Sequence, residues 1–207
     1  MIKNIGVLNF NYGNINSVLR SLRILDVNFK LVSSKDQLKD ITHLIIPGVG
    51  SFKNFMAQLK KKRMTVPIKN FIKKKPVLAI CLGMQILFTK SEEFGSQKGL
   101  DVLSGVVKKI DASNPGCITP NIGHLDVFGR PNKKLLKDIS NKKYYFAHSY
   151  TCVLKKKYDH LYFDYSNKKY VAAIYYKNIL ATQFHPELSR KSGLFIYKSF
   201  LKFKNEK

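Results

Sequence analysis

The sequence predicts an α/β protein with a mostly parallel central sheet flanked by helices and an antiparallel-rich second half. Two observations carry this. In roughly the first ninety residues, short apolar runs alternate with stretches whose apolar residues recur at helical spacing. That is the pattern of strand–helix crossovers, with a sheet covered on both faces. After Gly99 the helical spacing stops, and runs rich in β-branched and aromatic residues follow one another with turn residues between them. At 207 residues the chain suits one domain spanning 1–207.

The elements follow in order. Ile5-Gly6-Val7-Leu8 reads as a buried strand, and residues 14–25 as an amphipathic helix with Ile15, Val18, Leu19, Leu22 and Ile24. Phe29-Lys30-Leu31-Val32 is a second strand, and His43-Leu44-Ile45-Ile46 a third, stopped by Pro47-Gly48. Helices are expected over 52–61 and 66–74, then a strand over 76–80 running straight into a helix over 82–88. Strands over 104–110, 121–128, 143–150, 161–165, 170–176 and 179–184 follow, with Tyr176-Lys177-Asn178-Ile179 as a hairpin turn. A helix over 193–203 closes the chain.

Composition narrows the function. Lys and Arg total 37 against 13 acidic residues, a formal charge of +24. The lysines lie in short runs spread along the chain, with no nucleic-acid-binding motif among them. They read as solvated faces, and no nucleic-acid partner is expected. No apolar run approaches the ~20 residues of a membrane-spanning helix, and the start does not resemble a secretory signal. A cytoplasmic protein without membrane contact is the expectation. Three cysteines without C-x-x-C spacing argue against a disulfide scaffold or a zinc site. A free thiol is then left for chemistry, and no metal or cofactor is expected.

The strongest local signal is Pro76-Val-Leu-Ala-Ile-Cys81-Leu-Gly-Met-Gln85. A cysteine between a buried strand and a helix occupies a nucleophile elbow, at the positive end of the helix dipole, and the thiolate is the reactive form. Ala79 and Gly83 supply the small neighbours such a turn needs. Taken alone, Cys81 reads equally well as a small buried hydrophobe. Gln183-Phe184-His185-Pro186-Glu187 adds a base and an acceptor two residues apart, which an extended segment would set side by side. Alone, it would be a surface coincidence. Pro47-Gly48-Val49-Gly50 has glycines flanking one residue, so a peptide N–H there can turn into a cleft. With the N–H of Leu82 it would form an oxyanion hole, one donor of which is worth about 3 kcal/mol in the barrier. Alone, it would be an ordinary strand-to-helix turn.

Pro-Gly-Val-Gly, Ile-Cys-Leu-Gly-Met-Gln, Tyr-Phe-Ala-His-Ser-Tyr (residues 145–150) and Gln-Phe-His-Pro-Glu occur in this order. Over nearly its full length the chain resembles the class I, triad-type glutamine amidotransferases. Within them it is most similar to the glutaminase subunits of imidazole glycerol phosphate synthase. Tyr12-Gly13 with Asn14, and Ser91-Glu92-Glu93 with Gly99-Leu100, match that branch.

The resemblance implies hydrolysis of L-glutamine by a triad of Cys81, His185 and Glu187. It implies an oxyanion hole from Val49 or Gly50 with Leu82, and a glutamine pocket lined by Gly48, Gln85, Glu93, His148, Ser149 and Tyr150. The partner it implies is a (β/α)8-barrel cyclase subunit that receives the ammonia in a heterodimer, with Val49 as the switch.

Three segments depart from the branch. Asn11-Tyr12-Gly13-Asn14 lacks an acid and two residues, Asn121-Ile122-Gly123-His124-Leu125 stands for His-Met-Gly-Trp-Asn, and Leu188 replaces a lysine. The first two would face the partner. They keep open an alternative, a paralogous glutaminase feeding a sugar amidotransferase. A stand-alone cysteine peptidase or γ-glutamyl hydrolase would not need the glycine-flanked Val49 or the His-Ser-Tyr segment, and a nucleic-acid-binding module leaves the ordered motifs unexplained. His43 is expected to be structural, His160 to lie at the surface, His124 to pack, and Cys117 and Cys152 to be inert.

Overall fold

The computed structural model describes residues 4–10, 15–113 and 117–203. Among the described residues thirteen strands form two sheets. The first half contributes β1 (Ile5–Leu8), α1 (Asn16–Ile24), β2 (Phe29–Val32), β3 (His43–Ile46), α2 (Phe52–Lys61), α3 (Thr65–Lys74), β4 (Val77–Ile80) and α4 (Leu82–Gln85). Then come β5 (Phe88–Ser91), β6 (Gln97–Lys98), β7 (Leu103–Lys109), β8 (Asn121–Phe128), α5 (Lys134–Ile139), β9 (Lys142–His148) and β10 (Tyr150–Leu154). The last elements are β11 (Asp159–Tyr165), β12 (Lys168–Tyr176), β13 (Ile179–Thr182) and α6 (Arg190–Leu201).

The main sheet runs β2-β1-β3-β4-β13-β12-β11-β8-β9. Its first five strands are parallel, and the β13–β12, β12–β11, β11–β8 and β8–β9 pairs are antiparallel. The mixed α/β architecture expected from the sequence is therefore present. β13 is last in sequence yet sits in the middle of the sheet, parallel to β4, with Ala181 opposite Ala79 and Thr182 opposite Ile80.

Alternation along the buried strands sorts the core into two layers. Ile45, Leu78 and Ile80 join Val18, Leu22, Ile196 and Phe200 on the face covered by α1, α5 and α6. Leu44, Ile46, Val77 and Ala79 join Phe52, Leu59, Ile68 and Phe71 on the face covered by α2, α3 and the second sheet. Period-two side-chain placement makes this division inevitable once both faces are covered.

Several expectations need correction. The helix after Cys81 ends at Gln85, and Phe88 begins a strand rather than ending a helix. The carbonyls of Ile86, Leu87 and Phe88 are taken by the N–H groups of Leu100, Val102, Leu103 and Asp101, so pairing across the fold overrides helical spacing. The chain expected as one strand over 143–150 is two, β9 and β10, which part at Ser149 and belong to different sheets. The second sheet, β10-β7-β5-β6, and α5 were not anticipated. The segment 11–14, with Tyr12, Gly13 and Asn14, lies outside the described residues.

Candidate active site

Three neighbouring parallel strands, β3, β4 and β13, end at the same edge of the sheet, where ligands gather in open α/β folds. Pro47 to Gly50 follows β3, Cys81 follows β4, and Gln183 to Glu187 follows β13. Strand adjacency therefore brings together groups about a hundred residues apart in the chain. The Cys81 N–H donates to the carbonyl of Thr182 at 2.7 Å, which fixes the elbow against the His185 segment.

The elbow is strained. Cys81 has φ 52° and ψ −111°, a region that side-chain-bearing residues rarely occupy. The turn holds because its neighbours pack backbone to backbone: a Cβ on Gly83 would lie 2.0 Å from the Ile46 carbonyl oxygen, and one on Gly48 2.2 Å from the Gly83 nitrogen. The helix that follows is a single turn, so its dipole is smaller than the longer helix expected from sequence would have given.

His185 lies beside the sulfur. Its Nδ1 is 2.8 Å from Oε1 of Glu187 in a buried pair. The other ring nitrogen is left for Cys81, whose sulfur is near enough to act on the charge of the ring. The sequence placed His185 and Glu187 side by side on an extended run. Instead His185 ends the extended backbone and Glu187 reaches it from a single 3-10 turn, Pro186–Leu188, with the proline in its first position. The main chain of His185 is pinned on both sides: its N–H donates to the Tyr145 carbonyl at 2.8 Å, and its carbonyl accepts from the Ser189 hydroxyl at 2.6 Å.

Burial alone would lower the His185 pKa. The negative charge of Cys81 beside the ring, together with Glu187, reverses this and raises it to about 11. A raised pKa contributes stability that is complete below the ordinary value of 6.5 and is lost as pH climbs through about 11. Removing the sulfur in Cys81→Ala should therefore drop the His185 pKa, because burial is then opposed by Glu187 alone. Titration of the imidazole Cε1–H by NMR in both proteins checks this. An unchanged midpoint would mean that the sulfur is not what keeps the ring charged.

One main-chain donor stands free at the elbow. Leu82 opens its helix, so no preceding carbonyl of that helix can take its N–H. Gly50 has φ 103° with open space where a Cβ would be, so its conformation rather than crowding calls for glycine. Val49, between the two glycines, is 40% exposed.

All twelve residues selected from the sequence line one cleft of ≈ 610 Å³: Gly48, Val49, Gly50, Cys81, Leu82, Gln85, Glu93, His148, Ser149, Tyr150, His185 and Glu187. Their side chains are not all available to a ligand. Gln85 donates from Nε2 to the Tyr150 carbonyl at 2.9 Å and to Oε1 of Gln183 at 3.1 Å, so its carbonyl oxygen is the part left to meet substrate. One oxygen of Glu93 accepts from the Phe52 N–H at 2.6 Å and anchors α2, and with it the end of the glycine-flanked loop.

Both ring nitrogens of His148 are engaged, Nδ1 with the Tyr150 carbonyl at 2.8 Å and Nε2 with the Asn121 amide at 3.3 Å. Burial pushes its pKa down to about 4, so it is a neutral wall of the cleft at physiological pH. Asn121, one of the departures noted in the sequence, is thus buried and partnered.

Ser17, Phe94, Pro120, Tyr145, Ala147 and Leu188 also line the cleft, and none of them was selected from sequence as a pocket residue. Gln183 was missed as well, although it sits inside a quoted motif and its Nε2 lies 3.6 Å from the Cys81 sulfur.

The other histidines and cysteines fall largely as expected. His43 is buried between Thr42 and the Phe203 carbonyl, and His160 is half-buried against Tyr162 rather than fully at the surface. His124 packs edge-on against Tyr145, ring centroids 5.3 Å apart. Burial and the charge of Cys81 push the Cys152 thiol well up, so it stays protonated. No helix among the described residues is long and apolar enough to cross a membrane.

The glutamine amidotransferase class-I family model matches residues 7–202. The chain belongs to the class-I glutamine amidotransferase family. It is 36% identical over 201 residues to imidazole glycerol phosphate synthase subunit HisH of Leptospira interrogans, covering 95% of this chain and 98% of that protein. To the subunit of the same name from Prochlorococcus marinus subsp. pastoris it is 37% identical over 201 residues, covering 96% and 97%. A crystal structure of a glutamine amidotransferase superposes with TM-score 0.75 at 18% identity over 96% of this chain and 97% of the other. A structure of PurLQS from Thermotoga maritima superposes with TM-score 0.74 at 19% identity over 97% and 98%; at these identities the likeness is one of fold. This amidotransferase is a glutamine amidohydrolase that works with a partner.

Proposed function

We propose that the chain, as one domain over 1–207, is the glutaminase subunit of imidazole glycerol phosphate synthase. The pathway reading rests on the near-full-length identity to HisH subunits. The chemistry rests on one observation, the placement of Cys81 just beyond β4 and of His185 just beyond the adjacent β13, with Glu187 on Nδ1.

In this reading the Cys81 sulfur attacks the side-chain carbonyl carbon of L-glutamine. The oxygen takes negative charge beside the N–H groups of Leu82 and of Val49 or Gly50. The C–N bond breaks as His185 protonates the leaving nitrogen, which departs as ammonia. His185 then takes a proton from water, whose oxygen attacks the thioester, releasing glutamate and restoring the sulfur. Glu187 fixes the imidazole so that its second nitrogen stays on the sulfur throughout.

The ammonia passes to a (β/α)8-barrel cyclase subunit docked over the cleft in a cytoplasmic heterodimer. Support for docking here is the apolar rim: Val49, Phe94 and Leu188 line the cleft and remain exposed, and exposed Ile122 lies two residues from cleft-lining Pro120.

Co-purification with a cyclase subunit, followed by glutamine turnover with and without the acceptor nucleotide, tests this. Turnover should rise at least tenfold when the acceptor site fills. A chain that ignores the cyclase and is stimulated by a sugar amidotransferase instead would move the ammonia to a sugar acceptor and sink the histidine-pathway reading.

A further inference from the structure

We infer that Gln183 is a further catalytic residue: its side-chain N–H holds the Cys81 sulfur as the attacking anion. Gln183 is fully buried, immediately beyond β13, and its main-chain N–H is taken by the Ala172 carbonyl. Its side chain lies between two other groups of the cleft, and the hydrogen bonds fix which way its amide faces. Gln85 Nε2 donates to the Tyr150 carbonyl, an oxygen that can only accept, so the Gln85 amide is oriented. Its second N–H then requires an acceptor, which is Oε1 of Gln183. The NH2 of Gln183 is thereby turned onto Cys81, with Nε2 3.6 Å from the sulfur.

A donor to sulfur discriminates between thiol and thiolate. Hydrogen bonds to a charged acceptor are stronger than to a neutral one by an amount equivalent to about tenfold in an equilibrium. His185 approaches the same sulfur from its ring, so two donors converge on it. The Gln183 donor carries no charge and does not exchange its proton during turnover. It supports the anion before attack and again as the thioester is cleaved and the sulfur leaves, alongside the proton that His185 has by then taken from water. Gln85 thus has a second task besides meeting substrate, since it sets the orientation of the amide behind the nucleophile.

This inference rests on Cys81 being the nucleophile, and alkylation of the full chain by iodoacetamide separates the two. Peptide mapping first asks whether Cys81 is the residue labelled as glutamine turnover is lost. If the label falls elsewhere, the nucleophile assignment itself fails. If Cys81 is labelled, its alkylation rate is followed between about pH 5 and pH 10 in the wild type, Gln183→Met and Gln183→Glu.

The methionine variant keeps the length and removes the donor. It should react about tenfold more slowly at neutral pH and converge on the wild type as the medium ionises the thiol. The glutamate variant places a carboxylate against the sulfur and should be slower still. Profiles that superpose on the wild type, or that are lowered by one factor at every pH, overturn the inference, because a residue that merely fills space would give those results. Should both Gln183 variants fail to fold, Gln85→Met leaves Gln183 present but frees its amide to turn. It should show a smaller deficit that again closes at high pH, and a deficit independent of pH overturns the inference there too.

Discussion

Cys81→Ala should abolish synthesis with glutamine while leaving synthesis from added ammonium salt intact. The loss expected is about six orders of magnitude, the scale seen when a hydrolase nucleophile is deleted and only binding and oxyanion contacts persist. Little structural damage should accompany it. Cys81 is buried, but an alanine there removes one atom, keeps the elbow's main-chain bond to Thr182 and leaves the glycine contacts beneath it untouched. The comparison is made with the proposed cyclase partner present, following product from glutamine and from ammonium chloride in parallel. Survival of the glutamine-dependent rate would remove Cys81 from the chemistry. Loss of both rates would mean that the substitution disrupted the complex and not the hydrolysis.

Gly83→Ala should be more damaging than its single added methyl suggests. The new carbon would lie 2.0 Å from the Ile46 carbonyl oxygen and 3.0 Å from its carbon, and both are main chain in a central strand. No rotamer change relieves a clash between two backbones, so β3 and the elbow must separate. Overpacking in well-packed cores typically costs 1–3 kcal/mol, and a backbone-on-backbone case belongs at or above about 3 kcal/mol. The same separation pulls the Leu82 N–H from the loop at Gly48, whose own close contact is with the Gly83 nitrogen. Denaturant unfolding and glutamine turnover should therefore fall together. A variant with wild-type stability and turnover would show that the elbow tolerates space the structure denies it.

Much of this was legible in the sequence, for reasons specific to the elements. β1 and β3 matched residue for residue because buried parallel strands are short apolar runs with abrupt ends, such as the Pro47-Gly48 stop; β2 matched too, although it is an edge strand with Lys30 and Leu31 exposed. The triad residues were legible because their motifs lie at strand ends, whereas the pocket residues were legible only through the resemblance to the class I glutamine amidotransferases. The segment after Gln85 was misread because Ile86, Leu87 and Phe88 suit a helix interior and a sheet equally. Only their pairing with residues 100–103, a contact made after the chain turns back, decides between them. Gln183 was overlooked for a different reason. A buried glutamine has no periodicity or spacing to mark it, and its role depends on the amide orientation imposed by Gln85 from nearly a hundred residues away.

The position of β13 has a consequence for biosynthesis of the protein itself. The strand that leads into His185 comes last in sequence yet lies in the middle of the sheet, between β4 and β12. A nascent polypeptide still emerging from the ribosome can own its reactive thiol for more than a hundred codons without owning a base. Release of free ammonia then waits on insertion of that final strand, so the onset of glutamine cleavage during translation would serve as a clock for completion of the fold.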